Sequence, residues 1–373
     1  MVKKRKIGIL YGGVSAEHDV SVRSAVAVIK NMDKEKYNIV PIYIDTSGKW
    51  HYNCSPINDS DKKKLFNTNN HKTEGDSLVN YQKEIEKNSL DVVFPILHGT
   101  LGEDGTIQGM LDVFNIPYVG CNVLSSAIAM DKAIAKQLVS SGNINMPKFK
   151  VLHEYKWAND KNAILYNIMG HFSSPVFVKP CNIGSSIGIN KVKNLEELSL
   201  YINEAFLYDE KILIEEAIIG KELELSVLEN INDRENPFVS VPGELVPSDE
   251  FYTFDAKYIN SNGAEFYIPA RLTKEKIEES KKIAAKIFKI LECKSFARVD
   301  LFFDTENNKF LFNEVNTIPG FTEISLYPKL FECSGIKYTV LLDKLIELAI
   351  FNHSIRKKKI SNSITFKEQK KLS

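Results

Sequence analysis

The chain has 373 residues, in which 48 Lys and Arg are balanced by 48 Asp and Glu, and 43% of it is hydrophobic. At roughly 150 residues per domain, this length suits two or three domains with sizeable cores. A net charge of zero argues against nucleic acid or an anionic membrane as partner, since both call for a basic excess, and no apolar run reaches the ~18 residues that would span a bilayer.

Met1 to Lys6 carries the charge of a signal-peptide start, but the apolar run Ile7 to Tyr11 is too short to complete one, so no export is expected. Cys54, Cys121, Cys181, Cys293 and Cys333 are scattered and form no CxxC, which fits a reduced, cytoplasmic compartment without structural zinc.

The apolar runs predict a strand over Lys6 to Tyr11, a loop over Gly12 to Ser21, a helix over Val22 to Met32 and a strand over Asn38 to Ile44, a β-α-β start. Residues 54 to 90 are polar and read as an elaboration. A strand over Asp91 to Leu97 leads into the loop His98 to Gly105 and a helix from Thr106. Such an open α/β sheet binds ligands in the loops at its strand ends. A helical stretch from Ser125 carries Asp131 and Lys132, and Pro147 ends it before a strand over Lys148 to Leu152. Then come a helix over Lys156 to Met169, strands over Pro175 to Lys179 and Ile187 to Val192, and another helix. Residues 211 to 245 are rich in strands, and Val246 to Ala264 is a long loop of the kind that is usually functional. A helix over Lys274 to Leu291 precedes a hairpin of Ala297 to Phe303 with Lys309 to Asn313, and the last helix spans Tyr338 to Phe351. The remaining basic tail is expected to be disordered.

The loop between the second strand pair, Pro180 to Gly188, holds Gly184, Ser185, Ser186 and Gly188. Small residues let backbone N–H groups and hydroxyls surround a phosphate, although an ordinary hairpin turn has the same composition. Gly184 to Gly188 is also a literal G-x-S-x-G, which would make Ser186 a hydrolytic nucleophile. That motif needs a helix after the turn, and the residues here continue as a strand. Lys132 and Lys179 are placed to meet phosphates as point charges, or are simply solvated. In a hairpin alternate residues share a face, so Arg298 and Asp300 lie beside Glu314 and Asn316. Three oxygen donors with an arginine suit a hard cation shared with phosphates, the alternative being an ion-pair ladder. Glu17, and Glu103 with Asp104, are loop acids able to hold an ammonium group, or are ordinary loop acids or helix caps, and His98 is a loop histidine that could act as a base or be structural.

With these motifs in this order, the chain from about Lys6 to about Ile350 resembles the D-alanine:D-alanine ligases of the ATP-grasp superfamily. The resemblance implies a three-domain α/β architecture: an N-terminal α/β substrate domain (1–123), and central (124–222) and C-terminal (223–352) domains that grip ATP, with the basic tail at 353–373. It implies that Glu17 holds the first D-alanine's ammonium, that His98 lies near its carboxylate with Glu103 in support, and that Ser185 is linked to Glu17 through Tyr258. Lys132, Lys179, Ser186 and Lys257 would bind the phosphates of ATP, and Glu215 and Glu222 its adenine and ribose. Arg298 and the Gly320 N–H would meet the oxyanion, Asp300, Glu314 and Asn316 would hold two Mg²⁺, with Mn²⁺ an alternative, and Ser325 and Leu326 would receive the second D-alanine. The expected partners are D-alanine and ATP, with no nucleic acid and no membrane, and the chain is expected to be a homodimer. Thr253-Phe254 and His18-Asp19 depart from the commoner Asp-Tyr and Arg-Glu. Relatives that make D-alanyl-D-lactate alter the residue matching Tyr258, and those that make D-alanyl-D-serine often carry arginine where Leu326 stands, so this chain reads as one that uses D-alanine twice. A ligase with D-serine or D-lactate as second substrate and a non-catalytic nucleotide-binding protein are the alternatives.

Overall fold

The structure, a computed structural model, describes residues 3–52, 89–173, 175–247 and 264–372. Its strands form three sheets. In the first, β1 (Arg5–Gly12) lies parallel to β2 (Tyr37–Ile44) on one side and to β4 (Val92–Ile96) on the other, and β3 (Trp50–Tyr52) runs antiparallel along β2. β1 and β4 are continuous apolar runs because both of their faces are covered. Helix α1 (His18–Asn31) connects β1 to β2, and α2 (Thr106–Val113) follows the loop after β4. Gly12 ends β1 at φ +92°, where a Cβ would lie 2.1 Å from the Ile44 carbonyl oxygen, so only glycine lets the chain turn there. Polar His18 and Asp19 read as loop, yet they form the first turn of α1, where an acidic side chain complements the helix dipole.

Asp131 separates α3 (Val123–Met130) from α4 (Lys132–Ser140) and caps the second, its carboxylate accepting from the N–H groups of Ala133 and Ile134. The second sheet, in the order β5-β8-β6-β7, is antiparallel throughout: β5 (Phe149–His153), β6 (Val176–Pro180), β7 (Asn190–Val192) and β8 (Lys211–Glu216). The helix expected over Lys156 to Met169 is instead two, α5 (Glu154–Asn159) and α6 (Lys161–Met169), because Asp160 leaves the helical conformation and caps the second through the Ala163 N–H. With α7 (Leu195–Ala205) they enclose a core of Trp157, Ile168, Val178, Leu198, Ile202 and Ile214.

The third sheet runs β12-β11-β9-β13-β14, with β10 also paired to β9. Its strands are β9 (Gly220–Leu228), β10 (Phe238–Val239), β11 (Gly243–Pro247), β12 (Ala264–Tyr267), β13 (Phe296–Asp304) and β14 (Lys309–Asn316). The boundary expected between residues 222 and 223 falls inside β9. Helix α8 (Lys274–Ile290) caps at Thr273 and covers one face. The chain ends in α9 (Leu326–Cys333) and α10 (Tyr338–Leu372). The basic tail was expected to be disordered, but α10 continues through it. Its middle turns are tied to the first sheet's domain, Arg356 bonding Asp112 and His353 Nε2 lying 3.1 Å from the Asn115 carbonyl oxygen, and Lys and Arg are good helix formers. One core joins Ile7, Ile9 and Phe94 of the first sheet to Phe296, Phe321 and Tyr327 and to Leu341 and Leu345 of α10. No helix among the described residues is long and apolar enough to cross a membrane.

Candidate active site

Glu17, in the turn before α1, is buried, and one of its carboxylate oxygens accepts the Ser185 hydroxyl from the loop after β6. Ser185 and Glu17 are thus in direct contact, while Tyr258, expected to link them, and Lys257 lie outside the described residues. Gly99 approaches Glu17 so closely that a Cβ would sit 2.6 Å from Oε2. Ser185 and Ser186 take left-handed φ values of 53° and 60°. This turn delays the next strand to Asn190, whereas it was expected from Ile187. The chain beyond Ser186 nevertheless enters a strand and not a helix, so the strand-turn-helix geometry of a hydrolase nucleophile is absent.

His98 joins helix α1 to the loop after β14. Its Nδ1 lies 2.9 Å from the Ile318 carbonyl oxygen and so carries the proton, while Nε2 lies 3.1 Å from Ser24 Oγ. Burial holds its pKa below the usual histidine range, and the ring is neutral. Both ring nitrogens are thus engaged within the protein. Glu103 accepts the Gly99 N–H at 2.8 Å and the Ile318 N–H at 3.3 Å, and burial, reinforced by the charge of Glu17, pushes its pKa up to about 8.

The second cluster is built on α4 and the second sheet. Lys132 donates to the Ile183 carbonyl at 2.8 Å and lies 3.5 Å from Glu314. Glu215 accepts a hydrogen bond from Lys179, and its other oxygen lies 2.5 Å from Lys136 Nζ. Burial opposes the charge of all three groups. At Lys179 the attraction of Glu215 outweighs it and raises the pKa, at Glu215 the two lysines outweigh it and lower the pKa, and at Lys136 burial prevails and lowers it. Glu222 is half-buried on β9, where its charge reaches Lys179. Sequence reasoning missed Lys136. The signal was its spacing from Lys132, since residues four apart share one face of a helix.

The hairpin β13–β14 pairs Arg298 with Asn316 and Asp300 with Glu314, as the alternation predicts, and a bulge follows Asp300. Arg298 grips Asp300 with two hydrogen bonds, at 2.8 and 2.6 Å, and Asn316 donates to the same carboxylate at 2.9 Å. Glu224, opposite Asp300 on β9 and also overlooked in the sequence, lies 3.1 Å from Arg298 Nε. Burial pushes the pKa of Asp300 up to about 7. Among the described residues no group of three His, Cys, Asp or Glu is already gathered as a metal would hold them. The donor set of Asp300, Glu314 and Asn316 nevertheless fits a hard cation: it offers oxygen ligands on one face, with an acid that burial makes costly to ionise alone. The charge of Arg298 also reaches His98 and Glu103, so the hairpin faces the N-terminal loops as well as the lysines.

Gly320 packs where a Cβ would meet Ser325 Oγ at 2.6 Å, and Ser325 Oγ accepts the Thr322 N–H at 3.0 Å. Leu326, the first residue of α9, is buried.

A family model described as the D-ala D-ala ligase N-terminus matches residues 6–121, and one described as the D-ala D-ala ligase C-terminus matches residues 138–347. The D-alanine–D-alanine ligase of Caldicellulosiruptor bescii is 51% identical over 352 residues, covering 93% of this chain and 95% of that protein. That of Legionella pneumophila strain Lens is 42% identical over 368 residues, covering 97% of this chain and 100% of that one. Among solved structures, the D-alanine-D-alanine ligase from Coxiella burnetii gives a TM-score of 0.81 at 32% identity, covering 98% of this chain and 100% of its own. VanG D-Ala:D-Ser ligase from Enterococcus faecalis gives 0.79 at 35%, covering 93% and 100%. The fold is thus the expected α/β architecture of the ATP-grasp enzymes. The chain belongs to the D-alanine–D-alanine ligase family.

Proposed function

We propose that the protein joins two molecules of D-alanine into D-alanyl-D-alanine, cleaving ATP to ADP and phosphate, for peptidoglycan precursor synthesis. The observation that carries this reading is the hairpin face, where Glu314 meets Lys132 on one side and the charge of Arg298 reaches the His98 and Glu103 loop on the other. A phosphoryl donor held by the lysines and an acceptor carboxylate held by the loops would then share one set of charges.

In this reading Glu17 holds the ammonium group of the first D-alanine, and that substrate's carboxylate attacks the γ-phosphorus of ATP. ADP leaves and an acyl phosphate forms, while Lys179, Lys257 and Arg298 balance the charge on the transferring group and Lys132 and Ser186 bind the phosphates of ATP. The amine of the second D-alanine, its carboxylate at Ser325, then adds to the acyl carbon. Arg298 and the Gly320 N–H receive the oxyanion, the amine loses a proton, and phosphate departs. Glu215 and Glu222 face adenine and ribose, and His98 positions the loop that borders the first substrate. Asp300, Glu314 and Asn316 would hold two Mg²⁺ ions, or Mn²⁺, which when bound neutralise phosphate charge. Ser185 and Tyr258 close the site against water, which would otherwise hydrolyse the acyl phosphate. We place the enzyme in the cytoplasm as a homodimer of three-domain chains, the boundary between the central and C-terminal domains lying before β9 and not within it.

The test is ADP release measured with D-alanine alone and with D-alanine plus D-serine or D-lactate. Magnesium-dependent release with D-alanine alone, yielding the dipeptide, is the expected outcome; no release would sink the reading.

A further inference from the structure

We propose that Lys136 is a positioning residue for nucleotide binding: by neutralising Glu215 from the sealed side, it leaves the charge of Lys179 free to meet a polyphosphate. The inference rests on the reading above that Lys179 faces ATP.

Glu215 sits mid-sheet on β8, opposite Phe149 on β5 and Phe177 on β6, and is only 1% exposed. Lys179, two residues beyond Phe177 on β6, shares its face of the sheet and reaches one carboxylate oxygen, while Lys136 from α4 reaches the other. The two lysines are not equivalent. Lys136 is 1% exposed, donates to the Phe312 carbonyl at 3.2 Å, and lies 5.5 and 5.9 Å from the Phe312 and Phe149 ring centroids. It is too deep to touch a nucleotide. Lys179 is 8% exposed and stands at the end of β6, where the loop carrying Ser185 and Ser186 begins.

Within this triad two ammonium groups and one carboxylate sum to a single positive charge, on which Glu314 and Glu222 act from outside it. A buried carboxylate that had only Lys179 would form a neutral pair with it, and a phosphate approaching that pair would meet a dipole and not a cation. With Lys136 Nζ 2.5 Å behind it, Glu215 is charge-paired from the sealed side, and the surplus charge of the triad resides on the outer lysine. Lys136 then acts on the nucleotide through Glu215 and Lys179, without contact.

The experiment is a double-mutant cycle on the full-length protein, with ATP affinity measured by titration calorimetry for the wild type, Lys136→Met, Glu215→Gln and Lys136→Met/Glu215→Gln. Losing Lys136 should weaken ATP binding by about tenfold or more when Glu215 is present, and by less than about threefold in the Glu215→Gln background, where no carboxylate charge remains to cancel. The KM for ATP should rise with it while that for D-alanine stays within about twofold. An equal loss in both backgrounds, or no loss in the first, overturns the inference while leaving the ligase reading intact. A wild type that binds no ATP overturns both. Should Lys136→Met not fold, Lys136→Gln, which keeps an uncharged donor, carries the same comparison.

Discussion

Ser185 donates its hydroxyl hydrogen to a carboxylate oxygen of Glu17, a residue 168 positions earlier in the chain. The bond ties the glycine loop of the second sheet to the turn before α1. A hydrogen bond to a charged, buried group is worth about 1.5 to 3 kcal/mol. Ser185→Ala should therefore lower kcat/KM for D-alanine by roughly ten- to hundredfold. Ser185→Gly should lose as much, although glycine relieves the left-handed backbone at this position. Steady-state kinetics on the two variants check this, and a variant as active as the wild type would remove the bond from the catalytic account.

Glu314 faces Asp300 across the hairpin and lies beside Lys132. Glu314→Gln removes a negative charge from the expected cation site and should reduce turnover by orders of magnitude at limiting magnesium. Chelation of the wild type should abolish ADP release, and added Mg²⁺ should restore it. Activity that survives chelation would contradict the assignment of these oxygen donors.

Much of this hairpin was legible in the sequence, because a period of two fixes which side chains share a face and the flanking Leu301, Phe302, Leu311 and Phe312 mark its core. Lys179 at a strand end and the glycine-serine loop after it were legible for the same local reason. Lys136 and Glu224 were not, since their meaning depends on partners from other elements: Lys136 acquires one in Glu215, and Glu224 acquires one in Arg298. The start of β7 was misplaced because Ser185 and Ser186, and not Gly188 alone, take left-handed dihedrals. Helix α10 was cut short because its charges read as a solvated tail, while Asp112, which anchors Arg356, lies more than 240 residues away.

Glu103 gives a pH signature. Its pKa is raised to about 8 in the folded protein, so the folded state holds a proton that the unfolded chain releases at about pH 4 to 5. The stability this provides is complete below the unfolded value and is lost as pH rises to about 8. His98, whose pKa is lowered, acts in the opposite sense, adding stability as pH rises through the ordinary histidine range. Comparing melting temperatures of the wild type and Glu103→Gln between pH 5 and 8 separates the two, because the variant should lack the downward contribution. Parallel pH profiles would rule the Glu103 proton out.

Leu326 is buried at the start of α9, where it comes within 3.7 Å of a Cβ built at Gly243. If Leu326 borders the second substrate, as the family resemblance implies, it offers no partner to a serine hydroxyl, and leaving one unpaired costs ~1 to 3 kcal/mol. The wild type should therefore prefer D-alanine over D-serine as second substrate by roughly ten- to hundredfold in kcat/KM. Leu326→Arg should narrow or reverse that ratio and lower the melting temperature, since a guanidinium replaces a packed side chain. Equal kcat/KM for the two amino acids in the wild type would refute the assignment.

The division of the cores has a mechanical consequence. The first and third sheets share one apolar core, whereas the second sheet closes around its own. Helix α4 belongs to both sides: Ala135 and Val139 pack with the third sheet, and Ala133 with Cys181 and Leu213 of the second. The second sheet therefore meets the rest of the molecule through a small apolar contact with α4 and through polar contacts such as Ser185 to Glu17 and Lys132 to Glu314. The seam where we place the nucleotide is thus held by exchangeable hydrogen bonds and ion pairs and not by a large shared core.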